Sequence, residues 1–397
     1  MALAQSDREL LSFKPEATFG SVATGGNHYA LRMNSEALQY NIATIKSAEI
    51  RSARGVGDLI VVDADAGGNV PAEFSYGEYD SLIAAALATA PSQVVGTNGA
   101  TTGTATFSAT GMTYSSGAPF SACESGQWIG ISGAAQTGNN KLVQITGILG
   151  TGTGISVASG TFTAETGTAS VVAMGARFKN GTSKLSFSAE RRNQDLTTGY
   201  ECFRGQVVNT WSQEYRTAAA IGQSFGFMGK DALPMSTGSA LPGSRTSSLT
   251  HPIMNAVSNI SNIYEGGSLL TSTYVRSLTL SVSNNVEMLK AIGNMGPVDF
   301  RLGEFNARLS AEFYLADATL YNKFINNTST SFSYRMTDAN GYAYVVTITN
   351  GNYATGQRPS PGRNNSIILT MEMEGLEDAN GTVLIIDRCG PAVTPWA

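Results

Sequence analysis

The sequence predicts a mainly β protein with short helices: two tandem β-sandwich or barrel units, each with one flanking helix, plus a small inserted β-domain. Three observations predict it. Apolar and polar residues alternate over short runs bounded by Gly, Asn and Pro, the pattern of half-buried strands. The chain after residue 270 retraces, in order, segments of the earlier part. A Gly/Thr/Ser-rich stretch of about 80 residues, almost free of Lys and Arg, interrupts the first of these copies.

The copies align element by element. ATIKSAEIRS (43–52) resembles TYVRSLTLSV (273–282). VPAEFSYGEYDSLIAAAL (70–87) resembles ARLSAEFYLADATLYNKFI (307–325), each a strand containing Ala-Glu-Phe followed by a short amphipathic helix. Leu82, Ile83, Ala86 and Leu87 form the apolar face of the first helix; Leu320, Tyr321, Phe324 and Ile325 repeat it in the second. SFSAERRNQD (186–195) then matches SFSYRMTDAN (331–340), and GYECFRGQVVNTW (199–211) matches GYAYVVTITNGNY (341–353). Last, AIGQSFGFMGKDA (220–232) matches SIILTMEMEGLEDA (366–379).

Between these elements, DADAGGN (63–69) has the look of a calcium loop. Asp63, Asp65 and Gly68 fit such a loop, but Gly67 stands at its fifth position and Phe74 at its twelfth, where ligands are needed. The counterpart in the second copy, DFRLGEFN (299–306), keeps a Gly and no ligand pattern. A hairpin turn between two strands is therefore the expectation for both.

In the insert, GQWIGISG (126–133), NKLVQITGI (140–148) and GISVASGTFT (154–163) read as short strands, and GTGTG (150–154) as a turn. The resulting division is a first unit over 1–92 and 173–240, an insert over 93–172, and a linker with the second unit over 241–397. Residues 233–250 are polar and linker-like.

Composition narrows the function. Charged residues are 14% of the chain, against about 25% in average soluble proteins. Such a surface suits burial against neighbours, because each unpaired charge taken out of water costs free energy. The net charge of -5, with Arg191 and Arg192 the one adjacent basic pair, argues against tight phosphate binding. Cys123, Cys202 and Cys389 lie far apart, so neither a zinc site nor a disulfide framework is indicated. The two histidines, His28 and His251, sit alone in contexts that read as loops. The chain contains no HExxH, Walker lysine or dinucleotide fingerprint, so no enzyme, cofactor or metal is expected. The opening MALAQSDRELLSF is too acidic and interrupted for a secretory signal, and no apolar run is long enough to span a membrane.

The progression IKSAEIRSARG, YGEYDSLIAAAL, SFSAERR, GYECFRGQVVNTW and SFGFMGKDA resembles the major tail tube proteins of long non-contractile-tailed, siphovirus-like bacteriophages. It resembles most the subgroup in which one polypeptide holds two tube domains. The matching segments cover roughly 30–92, 173–232 and 255–390, with GFMGKD and the strand-plus-helix at 70–87 the most specific. The insert resembles small β-domains carried by many tail proteins, through GQWIGISG followed by GNNKLVQITGI.

The resemblance implies tail-tube β-sandwiches whose strands join those of neighbours into one barrel around a lumen. Two-domain members are expected to form homotrimers with pseudo-sixfold symmetry, stacked head to tail into a tube, with the insert on its exterior. Implied partners are a tape measure protein inside the growing tube, tail terminator and distal tail proteins at its ends, and double-stranded DNA passing through during ejection. The protein is expected in the virion tail after synthesis in the cytoplasm of the bacterial host. Asp58, Asp63, Asp65, Glu287 and Asp299, near the inter-strand loops, are the candidate lumen acids that would repel phosphate. The rival reading is a tail-tip or surface module that recognises a host glycan through the insert.

Overall fold

The computed structural model describes residues 3–50, 52, 55–89, 103–169, 171–271 and 273–390. The alternating runs form strands that pair antiparallel in two successive arrays. In the first, Gln39–Lys46 pairs with Leu59–Glu73, which pairs in turn with Gly222–Gly229. Gly222–Gly229 pairs with Tyr200–Arg216, and that strand with Phe187–Asn193, which lies against Glu9–Pro15. In the second, the order is Val275–Ser283, Asn306–Tyr314, Ile368–Leu376, Ala343–Gln357, Thr330–Thr337 and Ile260–Glu265.

The long strands Tyr200–Arg216 and Ala343–Gln357 turn each array into a sandwich. Tyr200–Arg216 pairs with Phe187–Asn193 along its first half, and with Gly222–Gly229 along its second. Its buried positions include Phe203 and Val208 in one half and Trp211 and Tyr215 in the other, so one strand feeds both layers of the core. Trp211 stacks on Phe225 with ring centroids 6.3 Å apart, and Tyr215 meets Tyr334 of the second array edge-on at 5.2 Å. The apolar core is accordingly continuous from Phe13 in the first array to Ile386 in the second.

Helix α1, Asp80–Ala86, buries Leu82, Ile83 and Ala86 as expected, but Asp80, Ala84 and Ala85 are buried too, so the helix sits inside the core and is not amphipathic. Helix α2, Thr319–Ile325, buries Leu320 and half-buries Tyr321 and Phe324, while Ile325 is exposed.

DADAGGN is not a turn. It lies inside the 15-residue strand Leu59–Glu73, with Ala64 and Ala66 buried and Asp63 and Asp65 on the opposite face. The two glycines are there for closeness: a Cβ on Gly67 would sit 2.5 Å from the Phe227 carbonyl oxygen, and one on Gly68 2.0 Å from that of Ala37. The strand bulges and continues, and the hairpin turn lies further out, beyond Lys46. His28 also departs from the loop expectation, being buried at the start of strand His28–Leu31.

In the insert, strands Glu165–Thr168, Ala105–Ser108, Gly111–Tyr114, Gly154–Ser156 and Gly147–Leu149 form one sheet. Its core has Phe107, Tyr114, Phe120 and Phe162. Trp128–Ser132 pairs instead with Val172–Lys179, and that strand pairs further along with Leu384–Cys389 at the end of the second array. Arg177 closes this junction with a bidentate pair to buried Asp387, at 2.7 and 2.8 Å. The Trp128 backbone N–H adds a third hydrogen bond to the same carboxylate.

Candidate functional site: an assembly surface

One face of the sheet formed by residues 210–216, 275–283, 306–314 and 368–376 is core, and the other is polar. Inward-facing Trp211, Leu280, Val282, Leu309 and Met373 alternate with outward Ser212, Ser281, Arg308 and Glu374, as strand geometry requires. On the polar face every arginine is tied to a carboxylate. Arg216 pairs with Glu214, Arg276 with Glu312 at 3.7 Å, and Arg308 with Glu374 at 2.8 Å. Pairs this exposed add little stability, about 0–1 kcal/mol each. Their effect is electrostatic: the cations are screened by acids of the same sheet, and Glu372 adds a further acid among them.

The five candidate acids lie outside these four strands. Asp58 is exposed and accepts the Leu59 N–H at the outer end of the first hairpin. Asp63 is bound by Lys290, whose hydrogen bond and charge hold its carboxyl below the usual range. Asp65 lies on the outward face of its strand and accepts from Asn41 at 3.1 Å. Glu287 pairs with Arg301 at 2.6 Å across the strands Glu287–Leu289 and Asp299–Arg301. Asp299 pairs with Lys184 at 2.9 Å, which lowers its carboxyl too. The structure thus gathers Asp63, Glu287 and Asp299 where the second hairpin packs on the first, with Ala64 donating to the Met295 carbonyl at 2.9 Å. Glu214, Glu312, Glu372 and Glu374 were not singled out by the sequence, although their alternation with Leu, Met and Phe in strand-like runs marks them as one face.

The ends of the sheet are apolar. At one end, the first hairpin exposes Ile42, Ile45, Leu59, Ile60, Val61 and Val62, and the outer loops of the two hairpins expose Ile50 and Ile292 completely (102% and 106%). At the other end Tyr274, Tyr314 and Ile367 are exposed side by side, where Val275–Ser283 begins and Asn306–Tyr314 ends. In the insert the aromatics Phe107, Tyr114, Phe120 and Phe162 are buried, and Trp128 is half-buried where the insert meets strand Val172–Lys179. The three cysteines are buried and unbridged, and burial pushes the thiols of Cys123 and Cys202 up to about 12. Among the described residues there is no cluster of three metal-ligating side chains, and no helix is long and apolar enough to cross a membrane.

The first and second arrays meet edge to edge within the chain: Thr210 pairs with Ser283, Trp211 with Val282, and so on to Arg216 with Ser277. The corresponding edge of the second array, residues 352–357, pairs with Ile368–Leu376 on one side. Among the described residues no strand lies on its other side. An open sheet edge and two apolar ends are thus the features of this chain left for a neighbour to cover.

No curated protein matches the sequence. A family model described as phage tail tube protein matches residues 6–375, both arrays and the insert included. The chain therefore belongs to the phage tail tube protein family and is a structural component of the virion tail.

Proposed function

We propose that the chain assembles as trimeric, pseudo-hexameric rings that stack head to tail into the tail tube of a siphovirus-like phage. The first array with its insert, and the second array, act as the two tube domains of each subunit. The observation that carries the reading is the strand junction inside the chain, where residues 210–216 of the first array receive 275–283 of the second. A junction of this heterologous kind, repeated between chains, closes a ring and leaves no sheet edge exposed.

The lumen is the polar sheet face, because the opposite face is already covered by the second sandwich layer and the helices. The sheet runs on from these four strands to 222–229, 59–73 and 39–46 on one side and to 350–357 on the other, so each chain contributes eight segments and three chains give a barrel of about 24 strands. At about 4.8 Å per strand its backbone diameter is at least ~37 Å, and strand tilt widens it further. With Arg216, Arg276 and Arg308 already paired to carboxylates, these cations are screened from phosphate, and duplex DNA slides through during ejection. Asp58, Asp63, Asp65, Glu287 and Asp299 add acidity toward the stacking end of the ring. The apolar hairpin ends dock onto the Tyr274–Tyr314 end of the next ring, a contact that propagates as a filament. A tape measure protein occupies the tube during assembly, terminator and distal proteins close it, and synthesis takes place in the host cytoplasm.

Negative-stain electron microscopy and mass photometry of the purified chain test this. Hollow tubes, or trimers with six similar lobes, are expected. A closed dimer without a central hole would sink the reading.

A further inference from the structure

We infer a specific strand partner and register for the open edge: the strand that carries Asn352 and Tyr353 in one chain pairs with the segment that carries Leu38 and Gln39 in the next. The inference rests on the tube reading and fixes how its subunits join.

The chain carries its own template. In the first array Trp211 pairs with Phe225, and Phe225 with Val70. In the second, Tyr353 pairs with Met373, and Met373 with Leu309. Tyr353 therefore stands where Trp211 stands, and Leu309 where Val70 stands. Three residues before these last two lie Asn306 and Gly67, which pair with Ser283 and Gln39 respectively. Gln39 is thus the counterpart of Ser283, and Leu38 that of Val282. The side chains agree: Leu38 and Val282 are each 2% exposed, and both aromatic partners, Trp211 and Tyr353, are buried.

Transferring the internal junction places Asn352 opposite Gln39, and Tyr353 opposite Leu38 of the neighbouring chain. The donor segment is preformed for the role. The Ala37 N–H donates to Asn69 at 2.9 Å and that of Asn34 to Pro71 at 3.0 Å, holding the segment antiparallel to its own array. Leu38, the residue that would meet Tyr353, has its backbone groups satisfied by side chains alone. Its N–H donates to the Glu36 carboxylate at 2.8 Å, and its carbonyl accepts from Arg191, which also holds Glu36 at 2.6 Å. Among the described residues no strand covers the outer side of 34–39. Side chains that occupy an edge in this way protect it until a strand replaces them.

Cysteine pairing in the full chain tests the register. Residues directly opposite in an antiparallel ladder have Cα atoms about 4.5–5.5 Å apart, within the range of about 4.4–6.8 Å that a disulfide bridges. The double variant Gln39→Cys/Asn352→Cys, assembled and then mildly oxidised, is expected to give covalent dimers and trimers on a non-reducing gel. Thr210→Cys/Ser283→Cys serves as the intrachain control, and Thr44→Cys/Asn352→Cys as the mismatched one. An equimolar mixture of the two single variants Gln39→Cys and Asn352→Cys should give dimers. Tubes that form but crosslink at 44/352 instead of 39/352, or at neither, overturn the register and leave the tube reading standing. An unmodified chain that never assembles overturns the tube reading, and this pairing with it.

Discussion

Arg388 reaches Asp80 at 2.8 Å, joining the last strand of the second array to helix α1 of the first through an ion pair that is almost wholly buried. Tyr344 donates to the same carboxylate, accepts the Gly77 N–H at 2.9 Å, and packs on Tyr76, over whose ring the Arg388 guanidinium lies at 4.9 Å. The two arrays are therefore locked by charge as well as by shared apolar core. Removing one member of a buried pair strands the other, so Asp80→Asn and Arg388→Met should each cost about 3–5 kcal/mol. Urea unfolding of both singles and the double checks this, and the double should lose much less than the sum.

Gly68→Ala tests the close approach in the long first-array strand. Its new Cβ collides with a backbone oxygen, which cannot rotate away, so a loss of about 1–3 kcal/mol is expected. Gly55 is the control, since a methyl group there would meet nothing within 4 Å: Gly55→Ala should be silent by the same melting curve.

Glu9 contributes to the response to acid. Burial, then the neighbouring Glu36 carboxylate, raises its proton affinity above the ordinary 4.5. An acid whose folded pKa is raised binds its proton more tightly in the native chain, so stability falls as pH rises from the unfolded value through the folded one. Glu9→Gln should therefore raise the melting temperature at pH 7 and lose that advantage below about pH 4. Equal gains at both pH values would show that the carboxylate's charge is not the cause.

Stacking is separable from folding. Ile50→Asp/Ile292→Asp places two charges on side chains that are fully exposed, so circular dichroism and the melting temperature should not change. Tubes should give way to single rings in electron micrographs.

Lumen charge is tested by releasing its cations. Glu312→Gln/Glu374→Gln frees Arg276 and Arg308, and tubes of this variant should retain duplex DNA in cosedimentation at about 50 mM salt, weakening by about 200 mM. Tubes that stay DNA-free would count against the polar face as the lumen wall.

The sequence was most legible where a pattern had one geometric solution. The spacing of Leu82, Ile83 and Ala86 has a single helical reading, and α1 buries that face. Strand register was less legible. The sequence match sets Ala43 beside Thr273, whereas the ladders make Gln39 the counterpart of Ser283. The slip is an even number of residues, and period-two alternation is blind to even slips. DADAGGN misled for a related reason: a glycine pair that admits a neighbouring backbone is written like one that reverses the chain. The polar face was hidden because its carboxylates come from different strands, and only pairing brings them together.

The bridge from Arg177 to Asp387 spans most of the distance between the insert and the last described strand. Strand Val172–Lys179 must wait for residues made about 200 positions later before its edge is filled. Contacts so distant in sequence slow folding, and until the last strand arrives the Arg177 side chain lacks its bidentate carboxylate. A chain broken off before residue 384 would carry that defect in its core. The last strand thus completes a contact that the first two hundred residues leave waiting, and the junction it closes is where a shortened chain is expected to be weakest.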